Sequence, residues 1–549
     1  MSKLAQSTRE GLLSLEKGTL SLNPEGKIRA VIIYPNVYRV ALSNLGFQSV
    51  YGMLNEIYNI SCERAFLPEP DEEARFLRTN SRLCSFESST PLSEFDIIIF
   101  SVSFENDYLN VLKILSLSGI PLLSSERDDN APLIIAGGIA LSSNPEPISM
   151  FIDLFLLGEA EPIISSAKEK LNGASGGESK EAILSALSDV EGAYLPQLTA
   201  RNENREVKIS RLTDMEISST YSRIVTPESE FSSMHLVEVS RGCPARCRFC
   251  LLGNFGGKLR FKSAKKLLSH IDNGLSSTSK VGLITSSMAE HKEFSTIASE
   301  ILKRRIEVSF SSIRFADLKE EFVDFLIKCG QKTVTLAPEC GTDRMRQIAG
   351  KELDEDEMIE KICMLGKRGI KNIKLYFLVG LPGETEEDVS AIVSLVKKIR
   401  HNGAKHSISL NLSVSASSFV PKPFTPFQWA PMDDVKSLKE KLGFLTRSFG
   451  KLDGVGFSCD LPKFARIQGI LSRADRRAGQ LLIDVLKHGG DWNRALRESE
   501  VNPDYYVMRE RDEDEKFPWD FINAGVSRRA LYMKYKSVKK DFSATSDIR

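Results

Sequence analysis

The sequence predicts an α/β protein built from an N-terminal Rossmann-like domain with a parallel sheet, a central partial (β/α)6 barrel and a mostly helical C-terminal region. Two observations predict this class. Short apolar runs alternate with helix-like segments through residues 29–166 and again through 231–430, and strands buried on both faces of a parallel sheet have this pattern. The 549 residues also suffice for about three or four domains.

The domain boundaries follow from where this alternation begins and ends. We expect an N-terminal extension at 1–28, a Rossmann-like domain at 29–170, a linker and hairpin at 171–230, the barrel at 231–432 and a helical region at 433–549. The glycine-rich stretch 172–177 predicts a flexible linker. Residues 194–212 predict a hairpin with its turn at 201–204.

Four apolar runs predict the strands of the N-terminal sheet, namely 31–34, 96–101, 133–136 and 154–157. Gly137-Gly138 and Gly158-Glu159 directly follow the last two runs. In a doubly wound sheet the ligand crevice lies at the carboxyl ends of the strands, where glycines let backbone approach a ligand. Tight turns would explain these glycines equally well. No G-x-G-x-x-G motif follows the first strand, so a dinucleotide site is not expected.

A loop with three cysteines follows the first strand of the predicted barrel. Cys243, Cys247 and Cys250 have the spacing C-x3-C-x2-C, and Phe249 precedes the last of them. Three thiolates on one loop can hold three corners of a cubane iron–sulfur cluster. No fourth cysteine is near, so one iron would stay open to a substrate or cofactor. Zinc is the alternative, but it usually takes four ligands from paired C-x2-C units.

Polar residues and glycines recur after the other barrel strands. The six predicted strands are 235–239, 281–285, 307–311, 332–337, 373–379 and 408–414. The residues that follow them include Ser286, Ser287, Ser312, Arg314, Glu339, Cys340, Arg344, Gly380, Gly383 and the loop 419–427. Catalytic groups of parallel barrels lie on these loops. Each residue alone has a structural explanation, such as a Glu339–Arg344 salt bridge or a turn at Gly383, but their recurrence at one end of the barrel favours a ligand site.

The cysteine loop resembles that of the radical SAM superfamily, whose members use a partial (β/α)6 barrel. The resemblance implies a [4Fe–4S] cluster that binds S-adenosylmethionine (SAM) at its open iron and cleaves it to a 5′-deoxyadenosyl radical. It also implies an electron donor such as flavodoxin or ferredoxin. The residues that we then expect to bind SAM are Phe249, Ser286, Ser287, Ser312, Arg314, Glu339, Arg344, Gly380 and Gly383. Arginine suits the SAM carboxylate because its guanidinium pairs with carboxylates in a bidentate way.

Residues from about 30 to 530 resemble an uncharacterised family of radical SAM proteins with an N-terminal cobalamin-binding-type domain. The resembling stretches include 34–38, 42–46, 63–66, 136–138, 144–147, 158–159, 330–333, 374–377, 419–431, 472–477, 518–520 and 525–527. The resemblance implies a cobalamin-dependent methylation or a related radical modification. Two alternatives stay open, a cobalamin-free enzyme whose N-terminal domain recognises the substrate, and a non-catalytic iron–sulfur sensor or scaffold.

This chain lacks the D-x-H-x-x-G motif that supplies a histidine to cobalt in many cobalamin proteins. All six histidines lie beyond residue 230, so no histidine of the N-terminal domain can reach the cobalt. The candidate cobalamin residues are Tyr38, Asn44, Asn106, Gly137, Gly138, Gly158 and Glu159. Cys340 is a candidate hydrogen-atom donor or methyl carrier, and a buried, inert thiol is the alternative.

Composition excludes several classes of protein. The chain has 73 basic and 73 acidic residues, so no global charge indicates a nucleic-acid or membrane partner. Nine cysteines are too few for a disulfide framework, which favours a reduced, cytoplasmic location. The first ten residues lack the apolar core of a signal peptide, and no apolar run is long enough to span a bilayer. Substrate and oligomeric state do not follow from the sequence.

One local charge pattern stands out. No acidic residue lies between Glu238 and Asp272, whereas this window contains Arg241, Arg246, Arg248, Lys258, Arg260, Lys262, Lys265 and Lys266. Such a segment could attract the acidic face of a reductant, the SAM carboxylate or an anionic substrate. Balancing the negative charge of a thiolate-bound cluster is the alternative.

Overall fold

The structure is a computed structural model that describes residues 3–18, 20, 22–23, 25–172, 180–199 and 206–542. Residues 173–177 of the predicted linker and the predicted turn at 201–204 lie outside these ranges. Within the described ranges the chain has the predicted α/β class, with parallel sheets in both the N-terminal domain and the barrel.

The N-terminal domain is a six-stranded sheet with the order β2-β1-β3-β4-β5-β6, in which β6 alone is antiparallel to its neighbour. Its elements are α1 (Lys3–Leu15), β1 (Ile28–Tyr34), α2 (Tyr38–Ala41), α3 (Leu45–Asn55), β2 (Ile60–Phe66), α4 (Pro70–Thr79), β3 (Ile97–Ser101), α5 (Tyr108–Ser118), β4 (Leu133–Gly137), α6 (Ile139–Ser143), β5 (Leu154–Leu156), α7 (Ala160–Asn172), α8 (Lys180–Ser188) and β6 (Ala193–Tyr194).

This order makes the domain doubly wound, as predicted. Residues of α3, α7 and α8 pack in a core on one face of the sheet, and residues of α5 pack in a second core on the other face. The order 2-1-3-4-5 reverses direction between β1 and β3, and ligands of such sheets bind in the crevice at the carboxyl ends of those two strands. The crevice therefore lies where the loops after Tyr34 and Ser101 meet.

Strand β2 was not predicted because Glu63 and Arg64 interrupt its apolar pattern. Both residues are nevertheless buried. Arg64 Nη1 and Nη2 each donate to the Glu16 carboxylate at 2.8 Å, and Glu87 is a second partner of this guanidinium. A charged residue can occupy a central strand when its charge is paired and hydrogen-bonded. Glu16 and Glu87 lie far from Arg64 in sequence, so periodicity alone could not reveal this strand.

The barrel strands form two parallel sheets with the orders β12-β11-β8 and β13-β14-β15-β16. The elements are β8 (His235–Glu238), β9 (Ser240–Arg241), α10 (Leu251–Phe255), β10 (Arg260–Phe261), α11 (Ala264–Gly274), β11 (Lys280–Ile284), α12 (Phe294–Arg304), β12 (Glu307–Phe310), α13 (Glu320–Lys328), β13 (Thr333–Glu339), α14 (Asp343–Ala349), α15 (Glu355–Lys367), β14 (Asn372–Val379), α16 (Glu386–Lys405), β15 (Asn411–Ser418), α17 (Val435–Phe449) and β16 (Val455–Cys459). The Ile313 amide donates to the Thr335 carbonyl at 2.9 Å and joins the two sheets.

All six predicted barrel strands are present, and β16 adds a seventh beyond the predicted boundary at 432. It pairs in parallel with β15 from Leu412 to Ala416. The prediction of a mostly helical region did not include this strand, because Val455–Cys459 is short and contains a glycine; in the structure it stays largely exposed. The rest of the C-terminal region is mostly helical, as predicted, with α18 (Pro462–Arg473), α19 (Ala478–Lys487), α20 (Trp492–Glu498), α21 (Asp504–Val507), β17 (Ile522–Asn523) and α22 (Arg528–Lys539).

The predicted hairpin over 194–212 is wrong. Strand β6 pairs with β5 of the N-terminal sheet, whereas β7 (Val207–Lys208) pairs in parallel with β17. Helix α9 (Pro196–Thr199) lies between these strands in the chain. Each arm finds an unpaired strand edge in a different part of the protein, so neither arm needs the other as a partner.

The C-terminal region joins the two domains. Helix α19 packs on α5 of the N-terminal domain. Asn144 Nδ2 donates to the Ser472 and Ala474 carbonyls at 3.1 and 2.9 Å, and Arg476 pairs with Glu146 at 3.0 Å. The resembling stretches 144–147 and 472–477 therefore contact each other. Among the helices that the structure describes, none is long and apolar enough to cross a membrane.

Candidate active site

The cysteine loop lies between β9 and α10 and is held in place by hydrogen bonds to its backbone groups. Asn254 Nδ2 donates to the Cys247 carbonyl at 2.9 Å and to the Cys250 carbonyl at 2.8 Å. The Arg248 amide donates to the Ala349 carbonyl at 2.8 Å, which ties the loop to the end of α14. These bonds fix the path of the loop through groups other than the thiols, and the three sulfur atoms stay free of disulfides.

All three cysteines line one cavity of about 950 Å³, here named the cysteine cavity. Its volume is in the range of small-molecule sites. The carboxyl ends of the barrel strands form its walls. Five of the residues predicted to bind SAM line it as well, namely Phe249, Ser286, Ser312, Arg314 and Glu339. The structure thus brings together residues that are up to about a hundred positions apart in the chain.

The donor set consists of three thiols in one cavity, a set that suits an iron–sulfur cluster. Among the described residues, no three His, Cys, Asp or Glu side chains converge as the ligands of one ion would. The thiolates of a cubane bind separate irons, so they need not converge. Burial raises the pKa of Cys247 to about 11 and also raises the pKa of Cys250. Metal binding deprotonates such thiols, so the three thiols in this cavity can become thiolate ligands to the irons of a cluster.

Glu339 lies in the cavity wall with a strained backbone. Its φ of 67° is in the left-handed region, which is uncommon for residues other than glycine. The strain coincides with an irregularity in the pairing of β13 with β14. Lys351 Nζ donates to Glu339 Oε1 at 2.9 Å and also to the Ala337 carbonyl. Burial raises the pKa of Glu339, although Lys351 acts in the opposite direction. Strained residues often lie at functional sites.

Arg314 enters the cavity from the loop after β12 and is already neutralised. Its guanidinium pairs with Asp317 at 2.8 Å and with Glu290. Burial lowers the pKa of Arg314, but the two carboxylates outweigh burial and raise it. Ser287 does not line the cavity. Its hydroxyl accepts from Arg314 Nη2 at 2.9 Å and donates to Asp317 at 2.8 Å, so it positions the arginine.

Besides Ser287, four predicted site residues lie outside the cavity wall. Cys340 is 3% exposed and packs in the larger hydrophobic core, which leaves it as a buried thiol. Arg344 pairs with Asp388 and donates to the Gly383 carbonyl at 2.9 Å, so the Glu339–Arg344 salt bridge considered as the structural alternative does not form. The Gly380 amide donates to Glu384 at 2.7 Å and closes the turn after β14. Gly380 and Gly383 therefore have structural roles here.

Of the residues predicted to bind cobalamin, some lie at the crevice between β1 and β3 and others are occupied by contacts within the protein. Asn44 lies at the crevice between β1 and β3, where its Nδ2 donates to Ser103 Oγ at 3.2 Å. Asn106 follows β3, and its buried Oδ1 has no hydrogen-bond partner among the described residues. Tyr38, in contrast, is buried and donates to Glu16 at 2.8 Å.

The two strand-end glycine motifs serve backbone packing. A Cβ at Gly138 would lie 2.2 Å from the Val102 carbonyl oxygen, and one at Gly158 would lie 2.2 Å from that of Ser210. Both also have positive φ angles, of 121° and 127°. Gly137, which ends β4, pairs with Leu156 of β5. Close approach of protein backbone, rather than of a ligand, explains Gly138 and Gly158.

Comparison with known proteins agrees with this site. A model for the N-terminal region of radical SAM proteins matches residues 46–196. A model for the radical SAM superfamily matches residues 237–396, which include the cysteine loop and most of the barrel.

The chain belongs to the radical SAM superfamily. Membership implies a [4Fe–4S] cluster and SAM as cofactors, and such enzymes need an electron donor and a substrate. An uncharacterised protein of Methanocaldococcus jannaschii is 27% identical over 486 residues, which cover 88% of this chain and 96% of that protein. A tRNA-2-methylthio-N(6)-dimethylallyladenosine synthase of Sulfurihydrogenibium is 26% identical over 44% of this chain and 56% of its own length.

The fold also has a solved counterpart. The structure of OxsB, a cobalamin-dependent SAM radical enzyme with aqua-cobalamin and SAM bound, is similar over 95% of this chain and 80% of its own chain. The TM-score is 0.51 and the sequence identity is 14%. At this identity the likeness concerns the fold, and it extends over both the N-terminal domain and the radical SAM barrel.

The sequence did not reveal a buried ion network that joins the N-terminal domain to the radical SAM cysteine loop. Arg241, two residues before Cys243, pairs with Glu161 at 2.7 Å, with Glu238 at 2.8 Å and with Glu159 at 3.2 Å. Arg260 pairs with Glu159 at 2.8 Å. We predicted a cobalamin role for Glu159, but its carboxylate is occupied by these two arginines and by the Leu212 amide. The acid-free window from 239 to 271 was the only available signal.

The buried Glu161 carboxylate should make the stability of the fold depend on pH. Burial raises the pKa of Glu161, but hydrogen bonds from Arg241 outweigh burial and lower its pKa to about 2 from the ordinary 4.5. Because the folded pKa is the lower one, this group stabilises the fold above pH 4.5 and loses that effect, about 3 kcal/mol, as pH falls toward 2.

We therefore expect Glu161→Gln to be clearly less stable than the wild type at neutral pH, with the difference shrinking below pH 4.5. Urea unfolding across this pH range measures the difference. Glu440→Gln removes a carboxylate that is 68% exposed and should show no such trend. A wild-type advantage over Glu161→Gln that is equally large in neutral and acidic buffer would contradict this assignment.

Proposed function

We propose that this protein is a cobalamin-dependent radical SAM enzyme that methylates an unactivated carbon of its substrate or modifies it by related radical chemistry. One observation carries the proposal. The edge of the N-terminal sheet that holds the crevice is fastened to the mouth of the barrel at two points. Glu105, after β3, pairs with Lys422, after β15, at 2.6 Å, and Glu159, after β5, pairs with Arg241 at 3.2 Å.

The Glu105–Lys422 contact is a buried ion pair. The Glu105 side chain is 5% exposed, and Gln468 donates to its second oxygen at 3.0 Å. Burial raises the pKa of Glu105, but Lys422 outweighs burial and lowers it. A buried carboxylate with two hydrogen-bonded partners holds its geometry well. A ligand in the crevice would therefore keep a fixed position relative to the cysteine cavity.

The crevice has polar groups that suit a large polar cofactor. Asn36 Nδ2 donates to Asp107 Oδ1 at 2.8 Å, and burial raises the pKa of Asp107 to about 6. Asn106 Oδ1 is buried without a partner in the part of the chain that is described, which leaves an acceptor ready for a ligand. Asn44 and Asn106 would contact cobalamin, with no histidine at its lower face. OxsB, which has the same overall fold, binds cobalamin.

When bound, the cluster supplies the electron that cleaves SAM, and cobalamin supplies the carrier for methyl transfer. The residues of this chain bind and orient the cluster and SAM. Cys243, Cys247 and Cys250 hold the cluster. Glu339, with Lys351 beside it, would bind the ribose hydroxyls or the ammonium of SAM. Phe249, Ser286, Ser312 and Arg314 would complete the wall around SAM, with the guanidinium of Arg314 held by Asp317 and Glu290.

SAM cleavage tests the enzymatic part of the proposal. The protein is purified anaerobically, reconstituted with iron and sulfide and reduced chemically or with flavodoxin or ferredoxin, which we propose as the class of natural donor. We expect the EPR signal of a [4Fe–4S] cluster that changes on addition of SAM, and formation of 5′-deoxyadenosine. A cluster without SAM cleavage would instead favour the sensor or scaffold. The cytoplasmic location stays a prediction.

Cobalamin binding separates the proposal from a cobalamin-free enzyme, and the chain offers a blocking variant. Ser103 accepts from Asn44 between β1 and β3, so Ser103→Trp should fill the crevice. We expect this variant to lose cobalamin affinity at least about tenfold while it retains the cluster and SAM cleavage. Titration followed by the visible spectrum of cobalamin measures this.

The control is Ser276→Trp, which places the same bulk on an exposed turn after α11. It should bind cobalamin as the wild type does. If the wild type binds no cobalamin yet cleaves SAM, the cobalamin-free alternative holds. If Ser103→Trp and the wild type bind cobalamin equally well, the cofactor does not occupy this crevice.

A further inference from the structure

A second cavity, of about 510 Å³, also adjoins the cysteine loop. Its wall includes Arg211, the end of α10 with the loop after it, residues 524–527 and one face of helix α22. It shares Cys243, Pro244, Arg246 and Lys534 with the cysteine cavity, so the two spaces are neighbours with a common wall. Its size also suits a small molecule. We name it the basic cavity.

The charges around this space are of one sign. Arg211, Arg246, Lys258 and Lys534 line it, and no Asp or Glu is among its lining residues in the described chain. None of these four cations forms a salt bridge with a described residue. Arg211 instead donates to the Phe255 and Ala524 carbonyls at 2.6 and 3.0 Å, which fixes its guanidinium in the wall.

The surrounding groups do not neutralise this charge. Burial lowers the pKa of Arg211 and the negative charge of Glu159 acts to raise it, but this carboxylate is already paired with Arg241 and Arg260. Burial lowers the pKa of Lys534, and the charges of Arg246 and Arg248 lower it further. Ser527 and Ala530 place the N-terminal end of α22 at the same wall, and the positive end of a helix dipole favours anions. Four neighbouring cations with no carboxylate among the lining residues favour the binding of an anion.

We infer that the basic cavity binds a phosphate-bearing anionic group of the substrate and so holds the reacting part of the same molecule in the cysteine cavity. The inference rests on the proposed function only in assigning the ligand to the substrate. The four shared lining residues support the assignment, because they make the two spaces neighbours, and one elongated molecule would have to extend only past these residues to reach both. A small ligand fits better than an acidic protein, since Arg211 and Lys534 are partly buried in a concave space.

Binding of inorganic pyrophosphate to the reconstituted full-length protein, measured by titration calorimetry at low salt, tests the inference. We expect the double variant Lys258→Gln/Lys534→Gln to bind at least about tenfold more weakly. Lys258→Gln alone should also weaken binding, and Lys258 lines the basic cavity but not the cysteine cavity. The matched control, Lys265→Gln/Lys536→Gln, removes two exposed charges and should bind as the wild type does.

The other outcomes are decisive as well. No pyrophosphate binding by the wild type, or equal binding by wild type and Lys258→Gln, would overturn the inference. If pyrophosphate affinity is unchanged but reduction by an acidic flavodoxin slows in the double variant, the surface docks the electron donor instead. SAM cleavage without added phosphate is measured on the same preparations. If the wild type does not cleave SAM, the proposed function is refuted, and anion binding stands as a separate result.

Discussion

Replacement of Cys250 by alanine is expected to remove the iron–sulfur cluster and to lower SAM cleavage by about three orders of magnitude or more. The chain supplies three thiolates to the cysteine cavity, and two thiolates cannot hold a cubane with a single open iron. Iron and sulfide content, the EPR spectrum and 5′-deoxyadenosine formation measure the change. Cys459→Ala removes an exposed thiol on β16 and should retain full activity.

The Cys250 variant should still fold. Cys250 is the residue before α10, and its side chain makes no capping hydrogen bond to that helix. The loop is held by Asn254 through backbone carbonyls, which alanine retains. Circular dichroism and urea unfolding should therefore match the wild type without cluster. Normal SAM cleavage by a folded Cys250→Ala protein would disprove the cluster assignment.

Replacement of Arg241 by methionine is expected to destabilise the protein by about 3–5 kcal/mol, the range for a buried charge left without its partner. Arg241 neutralises Glu238, Glu159 and Glu161, whose side chains are 12%, 16% and 7% exposed. Methionine retains the bulk of the arginine stem but leaves carboxylates buried together. The first transition of urea unfolding, followed by intrinsic fluorescence, measures the loss.

Two further variants make the Arg241 result specific. Arg304→Met breaks ion pairs with Asp272 and Glu300, whose side chains are 46% and 33% exposed, and pairs of this kind contribute about 1 kcal/mol or less. Adding Glu161→Gln to Arg241→Met should recover part of the lost stability, since one uncompensated charge is removed. If Arg241→Met is no worse than Arg304→Met, the network does not hold the domains together.

Because Arg241 immediately precedes Gly242 and Cys243, its loss should also loosen the cysteine loop. Cluster content after reconstitution is expected to fall in Arg241→Met and to stay normal in Arg304→Met. This outcome would connect the N-terminal domain to the cluster through named side chains rather than through general instability.

The fold class and the cysteine loop could both be predicted from local patterns. Apolar runs such as Val31–Tyr34 form parallel strands because both faces of the sheet are covered. The same reasoning missed β2, whose Arg64 is buried by pairing with Glu16, and β16, whose residues stay exposed at the edge of a sheet. Strand prediction from periodicity fails where charge pairing or an edge position replaces apolar burial.

The site residues also divide into those that local sequence patterns predict and those that only the fold reveals. Glu339 ends β13 and Arg314 follows β12, and both strand ends face the cysteine cavity, so position along the strand was enough to predict that they line it. Lys351, the partner of Glu339, lies twelve residues further on, after α14. No strand-end argument indicates it. Arg344 was the more obvious partner in sequence, but it pairs with Asp388 on another helix.

By itself, the sequence predicted Cys243, Cys247 and Cys250 as the cluster ligands and determined that they lie close together, because three thiols within the eight residues from Cys243 to Cys250 are close in space whatever the rest of the chain does. Only the tertiary structure decided how the N-terminal domain meets them. Arg241 and Glu161 are 80 residues apart, and a buried charge takes its partner from whichever element folding places beside it. That choice is a property of packing, and no pattern in a single stretch of sequence contains it.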